Sequence, residues 1–173
     1  MNTLIIIPTY NENQNITILI KKIRELKTSI NLEILIIDDN SPDGTAKSVE
    51  KIQKNDSKIH LLKRNRKLGL GSAYCLGFSW AIKNNFDSIV QMDADLSHNP
   101  KDILRLLNEI KNRDVVIGSR YKTGVNVVNW PLRRLILSYL ANIYARVITG
   151  LKIYDLTSGF KCIKTEVLKN INI

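Results

Sequence analysis

The sequence is poor in cysteine and has no long apolar run, and each shortage excludes a class of protein. Cys75 and Cys162 are the two cysteines among 173 residues, too few for a disulfide framework or a cysteine-based zinc site. They form no CxxC pair, so we expect two buried, reduced thiols. No run of about 20 apolar residues is present, so the sequence predicts no membrane-spanning helix. The first residues do not resemble a signal peptide, and we expect a cytoplasmic chain.

Two nucleotide-binding motifs are also missing. Gly69-Leu70-Gly71 precedes a predicted helix and offers backbone N–H groups to an anion, but there is no P-loop and no complete GxGxxG. Kinase and dinucleotide-oxidoreductase functions are therefore disfavoured. The formal charge of +10 predicts attraction to anions such as nucleotide diphosphates, anionic lipids or nucleic acid. Aromatic residues make up 6% and do not cluster with lysines, so we expect no nucleic-acid partner.

What the chain does contain is an alternation of apolar strands and amphipathic helices. Predicted strands cover residues 4–7, 33–37, 59–62, 88–92 and 115–117. Between them we predict helices after a capping Asn13, from Asp43 or Thr45 to about residue 53, and over residues 72–84 and 100–112. The connections are short, with no repeat or linker. This pattern predicts one α/β domain with a mostly parallel central sheet flanked by helices.

Polar residues follow four of these strands at their carboxyl ends. In a parallel sheet those ends meet at one edge, where such folds bind their ligands. The residues concerned are Thr9, Tyr10, Asn11 and Glu12 after the first strand, Asp38 and Asp39 after the second, Asp93 and Asp95 after the fourth, and Ser119 and Arg120 after the fifth. We therefore expect a pocket built from four loops.

Asp93 and Asp95 are the strongest candidates for chemistry. Two carboxylates two residues apart at a strand end can face one divalent cation, and oxygen ligands favour Mg²⁺ or Mn²⁺ completed by substrate phosphates. The competing interpretation is a pair that caps a turn. We expect His98 to be exposed or to cap a helix rather than to bind metal. A carboxylate of the Asp38-Asp39 pair can bind a nucleotide base or ribose, or cap the following turn.

A further helical pattern extends over residues 130–150. Its apolar face comprises Leu135, Ile136, Tyr139, Leu140, Ile143 and Val147. A polar stripe on the other side comprises Arg134, Ser138, Asn142 and Arg146. An arginine and a hydroxyl one turn apart can share a phosphate, although the stripe can also be read as a solvated face. An apolar helix with cationic edges suits a membrane interface.

Six short motifs span nearly the whole chain. They are IPTYNE (7–12), DDNSPDGT (38–45), KLGLGSAY (67–74), MDADLSHNP (92–100), GSRY (118–121) and DLTSGFK (155–161). In this order they resemble the dolichol-phosphate mannosyltransferase branch of glycosyltransferase family 2, whose members transfer a sugar to a polyprenyl phosphate. The resemblance implies a GT-A (Rossmann-like) fold, a nucleotide-diphosphate-sugar donor with GDP-mannose favoured, and a polyprenyl phosphate acceptor. It also implies a Mg²⁺ or Mn²⁺ cofactor and peripheral contact with the cytosolic face of a membrane.

The resemblance assigns roles to individual residues. The nucleotide-sugar pocket would be lined by Pro8, Tyr10, Glu12, Ile37, Asp39, Asp93 and Ala94. The metal would be bound by Asp93, Asp95 and Ser97, although the family commonly has Gln in place of the serine. The acceptor phosphate would be bound by Arg120, Arg134 and Ser138. The residues closest to catalysis would be Asp95, Arg120, Arg134 and Asp155. Asp155 is the candidate base if the acceptor is a sugar hydroxyl, and otherwise caps the turn at residues 157–159.

From this resemblance we expect residues 1–173 to form a single GT-A catalytic domain that is shortened at the carboxyl terminus relative to the family. The expected reaction is an inverting, single-displacement transfer. Two alternatives remain open at this point. One is a family relative that uses UDP-glucose or another nucleotide sugar, or a sugar hydroxyl as acceptor. The other, from a different class, is a nucleotide-binding module without catalysis.

Overall fold

The computed structural model describes residues 1–120 and 132–171, with the side chains of Leu132, Arg134 and Leu135 outside the description. Within these residues the strands are β1 (Asn2–Thr9), β2 (Asn31–Asp38), β3 (Ile59–Lys63), β4 (Ser88–Gln91), β5 (Val115–Ile117) and β6 (Lys161–Lys164). The helices are α1 (Asn13–Arg24), α2 (Thr45–Gln53), α3 (Leu70–Lys83), α4 (Asp102–Glu109), α5 (Leu132–Thr149) and α6 (Thr165–Lys169). A 3₁₀ turn over Ile110–Asn112 follows α4.

The strands form a single sheet in the order β3-β2-β1-β4-β6-β5. β1 pairs in parallel with β2 and β4, and β2 pairs in parallel with β3. β6 is antiparallel to both β4 and β5, so β5 runs in the same direction as β4. The predicted α/β class and mostly parallel sheet are confirmed. β6 was not predicted, and it lies between β4 and β5 in the sheet.

The two central strands are buried on both faces, which explains their nearly continuous apolar runs. Ile5 and Ile7 of β1 belong to a core cluster shared with α1 and α4, whereas Leu4 and Ile6 belong to a cluster shared with α3. Alternate residues of a strand point to opposite faces. Each face of the sheet is therefore covered by helices, and the polar residues are left at the strand ends. Among the described residues, no helix is both long and apolar enough to cross a bilayer.

Two expectations about single residues are wrong. Asn13 does not cap α1 but begins it, and its amide oxygen accepts a 2.6 Å hydrogen bond from the Ser48 hydroxyl. Cys162 is buried as expected, whereas Cys75 is exposed. Cys75 lies on α3 two positions from Ala73 and from Gly77, which both face the sheet. A displacement of two residues turns a helical side chain away from the packed face.

α3 approaches the sheet closely because its packed face consists largely of small residues. A Cβ atom at Gly77 would lie 2.7 Å from Cγ2 of Ile6 and 3.1 Å from Cδ1 of Ile37. Gly71, in the first turn of the same helix, has open space around its Cβ position. Close packing against the sheet therefore favours glycine at position 77, whereas no such packing restricts position 71.

We predict that Gly77→Ala lowers the free energy of unfolding by about 2 kcal/mol, because the added methyl group overpacks the contact between α3 and β1. The matched control Gly71→Ala should be neutral or stabilise by up to about 1 kcal/mol, as expected for glycine replacement in an open helical position. Urea denaturation of the two variants measures the difference. Equal stability would show that α3 does not pack this tightly.

Candidate active site

The predicted polar loops lie together at one edge of the sheet, which we call the site edge: the carboxyl ends of β1, β2, β4 and β5. The hydroxyl of Thr9 donates a 3.0 Å hydrogen bond to Asp38, joining the first two loops. The ring of His98, after β4, stacks on Phe160 at 4.9 Å between ring centroids. The N–H of Gly118, directly after β5, donates to the carbonyl of Phe160 at 2.8 Å. The expected gathering of these four loops is confirmed.

Asp38 and Asp39 have different environments although they are adjacent. Asp38 is buried, and its carboxylate accepts hydrogen bonds from the Ser41 N–H at 2.9 Å and the Ser41 hydroxyl at 2.6 Å. These contacts assign Asp38 to the turn, as the alternative interpretation proposed. Asp39 pairs instead with Arg64, and the two side chains are only 9% and 7% exposed.

Arg64 links Asp39 to the glycine-rich loop before α3. Its guanidinium donates to the Ser72 hydroxyl at 2.7 Å and to the Gly69 carbonyl at 3.0 Å. The second Asp39 oxygen accepts from the Leu68 N–H at 3.2 Å. Arginine forms such fixed, forked contacts readily. Sequence reasoning missed Arg64, which lies in a basic run that looks like a solvated loop.

The residues predicted to line the nucleotide pocket differ in their exposure. Tyr10 is exposed, with the ammonium of Lys67 4.0 Å from its ring centroid, an arrangement typical of a cation–π contact. Pro8, two residues earlier, is half-buried. The carboxylate of Glu12 accepts a 2.8 Å hydrogen bond from Asn15. Ile37 is fully buried beneath α3, so its side chain does not line an open pocket.

Asp93 is held by groups from three parts of the chain. Its backbone N–H donates to Nδ1 of His98 at 3.2 Å, and the hydroxyl of Tyr74 donates to its carboxylate at 3.4 Å. A Cβ atom at Gly159 would lie 3.1 Å from the same carboxylate, so a larger residue there would displace the carboxylate by a few tenths of an ångström. Burial raises the pKa of Tyr74, and the neighbouring charge of Asp93 raises it further. The hydroxyl therefore remains a donor at neutral pH.

His98 is neither exposed nor a helix cap, contrary to expectation. Its side chain is 14% exposed and packs on Phe160. Burial lowers the pKa of His98, the charges of Asp93 and Asp95 oppose this, and the charge of Arg120 lowers it further. Its Nε2 lies 3.8 Å from the Asp93 carboxylate, so the imidazole adjoins the acidic pair.

Asp95 is exposed and accepts a 3.0 Å hydrogen bond from the Ser97 N–H. Ser97 is also exposed, and Leu96 between them adopts a left-handed conformation with φ of 62° that forms the turn. Ala94, the residue between the two aspartates, is buried in the core. Its side chain is therefore not exposed to a donor diphosphate.

Arg120 and Asp155 form the other charged pair of the site edge. The guanidinium makes two hydrogen bonds of 2.7 Å to the Asp155 carboxylate, and the Arg120 N–H adds one of 3.0 Å. A further 2.7 Å bond reaches the Thr157 hydroxyl. Burial opposes the ionisation of Asp155, but the hydrogen bonds and charge of Arg120 outweigh it and hold the pKa of this carboxyl below its usual value of 3.8.

α5 forms the predicted helix, and the described members of its polar stripe, Ser138, Asn142 and Arg146, are half-buried or buried. Asn142 is 2% exposed and contacts the loop that carries Asp155. Leu140 and Val147, from the predicted apolar face, are 55% and 75% exposed. Ser138 is half-buried on the stripe, whereas the side chain of Arg134 lies outside the described residues. The reading of the stripe as a solvated face is wrong at Asn142.

The sequence profile of glycosyl transferase family 2 matches residues 4–171. The chain belongs to this family. A polyprenol monophosphomannose synthase from Mycolicibacterium smegmatis is 41% identical over 99% of this chain and 64% of its own length. An undecaprenyl-phosphate mannosyltransferase from Micrococcus luteus is 38% identical over 100% of this chain and 70% of its own length. The family 2 chain described here thus spans less than two thirds of the first relative.

The fold agrees with that of solved glycosyltransferases. A mannosyltransferase from Pyrobaculum calidifontis, in complex with GDP-Man and Mn²⁺, superposes with a TM-score of 0.65 at 20% identity. The superposition covers 97% of this chain and 46% of that protein. The expected GT-A fold of this family 2 chain is confirmed.

The acidic pair of this family 2 chain fits a divalent cation that shares its coordination with a substrate. Asp93 and Asp95 flank one buried residue, so both carboxylates lie in the same turn, and that of Asp95 is exposed. Residues 1–120 and 132–171 contain no group of three or more His, Cys, Asp or Glu suited to a metal. Magnesium-like sites often use one or two carboxylates completed by phosphate oxygens and water. The donor set is therefore compatible with a cation that arrives with a diphosphate.

The role of a general base does not fit the contacts of Asp155. A base needs an oxygen that the substrate proton can reach, whereas this carboxylate is fully buried and accepts from Arg120 and Asn142. Its lowered pKa also makes it a weaker base. The contacts favour a carboxylate that orients Arg120.

We predict that Asp155→Asn lowers the free energy of unfolding by about 3 kcal/mol at pH 7, because Arg120 loses a buried charge partner. The stabilisation by this pair is present above the ordinary carboxyl pKa of 3.8 and is lost as the pH falls through the lower folded-state pKa. The difference between wild type and variant should therefore shrink below about pH 4. Urea denaturation from pH 7 to pH 3 measures it, and Asp102→Asn on the surface of α4 is the control. A difference that is independent of pH would contradict the lowered pKa.

Proposed function

We propose that residues 1–173 form a catalytic domain that transfers mannose from GDP-mannose to a polyprenyl phosphate, with inversion and with a divalent cation. The observation that carries this proposal is that the segment from Asp155 to Phe160 joins Arg120 to the acidic pair: Arg120 pairs with Asp155, and a Cβ atom at Gly159 would lie 3.1 Å from the Asp93 carboxylate. An acidic pair suited to a cation thus adjoins an arginine suited to a phosphate. The names of the two relatives, which both refer to mannosyl transfer or polyprenol phosphomannose synthesis, support the choice of donor and acceptor.

The donor is proposed to bind between the loops after β1, β2 and β4. Tyr10, Glu12 and Asp39 would orient the nucleotide, with the Arg64 pair holding the Asp39 carboxylate in place. Asp93 and Asp95 would hold Mg²⁺ or Mn²⁺, with Ser97 at the adjacent turn position. The cation would neutralise charge on the diphosphate leaving group. Tyr74 donates to the Asp93 carboxylate and His98 accepts from the Asp93 backbone N–H, so both contacts restrain this residue.

The acceptor is proposed to bind at Arg120, together with Arg134 and Ser138 of α5. A phosphate monoester is already anionic at neutral pH, so its oxygen can attack the sugar without a strong base. Positioning of the two reactants is then the main requirement. The bidentate contact with Asp155 restrains the guanidinium of Arg120 for that task. Asp155, whose carboxylate is buried and paired with Arg120, is then not required as a base.

Contact with the cytosolic face of a membrane is part of the proposal. The exposed apolar residues of α5 and the loop after it are Ile136, Leu137, Tyr139, Leu140, Tyr144, Val147, Ile148, Leu151 and Tyr154. Such a concentration of apolar surface marks an interaction site. Arg146 and Lys152 lie among these residues in a groove of about 490 Å³. Apolar side chains with cationic neighbours suit an anionic lipid surface, where a polyprenyl acceptor is embedded.

A donor screen tests the proposed reaction. We predict mannosyl transfer from GDP-mannose to a polyprenyl phosphate that requires added Mg²⁺ or Mn²⁺, measured by mass spectrometry of the lipid product. Asp95→Asn should lower the rate by at least about a hundredfold with little change in stability, because it weakens an exposed cation ligand rather than the core. Asp102→Asn on α4 should retain the wild-type rate. Product from UDP-glucose but not from GDP-mannose would overturn the donor assignment, and nucleotide binding without any transfer would indicate a binding module.

Vesicle binding tests the membrane surface separately. We predict that replacing Leu140 and Val147 together by Glu lowers partitioning to phosphatidylglycerol-containing vesicles at least about tenfold, because two apolar contacts are lost. Ile18, exposed on α1, supplies the matched control as Ile18→Glu. Co-sedimentation measures the bound fraction. An equal effect of both changes would show that charge alone, rather than the α5 surface, determines binding.

A further inference from the structure

Asn142 is the buried polar residue of a helix whose outward side is apolar. It is 2% exposed, and it lies on the opposite side of α5 from Leu140. An asparagine in the interior of a helix competes with the helical hydrogen bonds and is unfavourable without compensating contacts. Its burial therefore requires partners elsewhere in the fold.

Both ends of the Asn142 amide have such partners. The Nδ2 group donates to the Ser138 carbonyl at 3.0 Å, to the Thr157 hydroxyl at 3.1 Å and to the Asp155 carboxylate at 3.4 Å. The Oδ1 atom accepts from the Leu156 N–H at 2.8 Å and the Thr157 N–H at 3.4 Å. A residue with only donors or only acceptors could not make these contacts.

Two partners of Asn142, Asp155 and Thr157, are also partners of Arg120. The guanidinium of Arg120 donates to the Asp155 carboxylate and to the Thr157 hydroxyl, each at 2.7 Å. The two proposed halves of the acceptor-phosphate site lie on different elements, one directly after β5 and the other on α5. Asn142 joins them through residues 155–157.

We infer that Asn142 is a positioning residue for the acceptor phosphate, because it holds α5, with Ser138, in a fixed relation to Arg120. The inference rests on the proposed function and deepens it. Asn142 does not itself contact the phosphate. Its contribution is to keep two separate anion-binding groups at a constant spacing, on which the binding of a small, multiply hydrogen-bonded anion depends.

Binding measurements test this role without turnover. The probes are farnesyl phosphate, a short isoprenyl monophosphate, and GDP with Mn²⁺, titrated into the full chain by calorimetry. We expect Asn142→Ala and Asn142→Asp to raise the Kd for farnesyl phosphate about tenfold, within the range found for residues that orient a ligand-binding side chain. The Kd for GDP should change less than about twofold. Asn142→Asp keeps the size and the acceptor but sets a second carboxylate beside that of Asp155, so the two variants perturb the site differently and either one that folds gives a result.

A matched control and a double-mutant cycle separate positioning from general destabilisation. Asn108, exposed on α4, supplies the control Asn108→Asp, which should bind both probes like wild type. In an Arg120→Lys background, Asn142→Asp should add little to the loss of farnesyl phosphate affinity, because residues that act through one group are not additive. Additive losses, or equal losses for GDP and farnesyl phosphate, would overturn the inference.

The outcomes also distinguish the inference from the proposed function. Wild-type binding of farnesyl phosphate that depends on Asn142, without mannosyl transfer, would sink the proposed reaction and leave the positioning role standing. Mannosyl transfer with a farnesyl phosphate Kd unaffected by Asn142 would do the reverse. No wild-type binding of farnesyl phosphate at all would overturn both the acceptor site and the role of Asn142.

Discussion

The carboxylate of Asp155 is fully buried, and the guanidinium of Arg120 provides the opposite charge beside it. An unpaired charge in that position would cost several kcal/mol, so the two residues must come together whenever the chain folds. One of them follows β5 and the other precedes β6. Their pairing therefore joins the loop after β5 to the loop before β6 at the site edge.

The segment from Asp155 to Phe160 links the two parts of the site. Gly159 lies against the Asp93 carboxylate, and Phe160 supports the ring of His98, which accepts from the Asp93 N–H. At its other end the same segment is bonded to α5, because the Leu156 N–H donates to the side chain of Asn142. The acidic pair and the inner face of α5 are thus held by one stretch of backbone. Energetic coupling between the acidic pair and α5 therefore depends on the rigidity of residues 155–160.

The apolar periodicity of the sequence and the polar residues that end each apolar run were sufficient to predict β1 to β5 and the helices between β1 and β5. The apolar runs ending at Pro8, at Asp38 and at Asp93 predicted the strands and their polar ends, because buried parallel strands need continuous apolar side chains. β6 escaped notice because Lys161–Lys164 is short and mixes charged with apolar residues, as an inserted antiparallel strand can. Arg64 was not predicted as a site residue, because its burial depends on Asp39, a partner distant in sequence.

The site residues were harder to place than the strands. The pattern of α5 separated its two faces, but periodicity alone does not say which face turns inward, and Asn142 turned out to be the buried one. Ile37 and Ala94 came from resemblance alone, and the structure shows both side chains in the core. A residue can belong to a motif because of its place in the backbone or because of its side chain, and the sequence alone does not show which applies.

The position of β6 also affects the order in which the chain can fold during synthesis. β1 to β4 pair with one another and can assemble once residue 91 has left the ribosome. β5 joins the sheet only through β6, which is made about 45 residues later, so its ladder depends on a contact of long sequence separation. A nascent chain would therefore present its acidic turn well before the arginine opposite it acquires a fixed place.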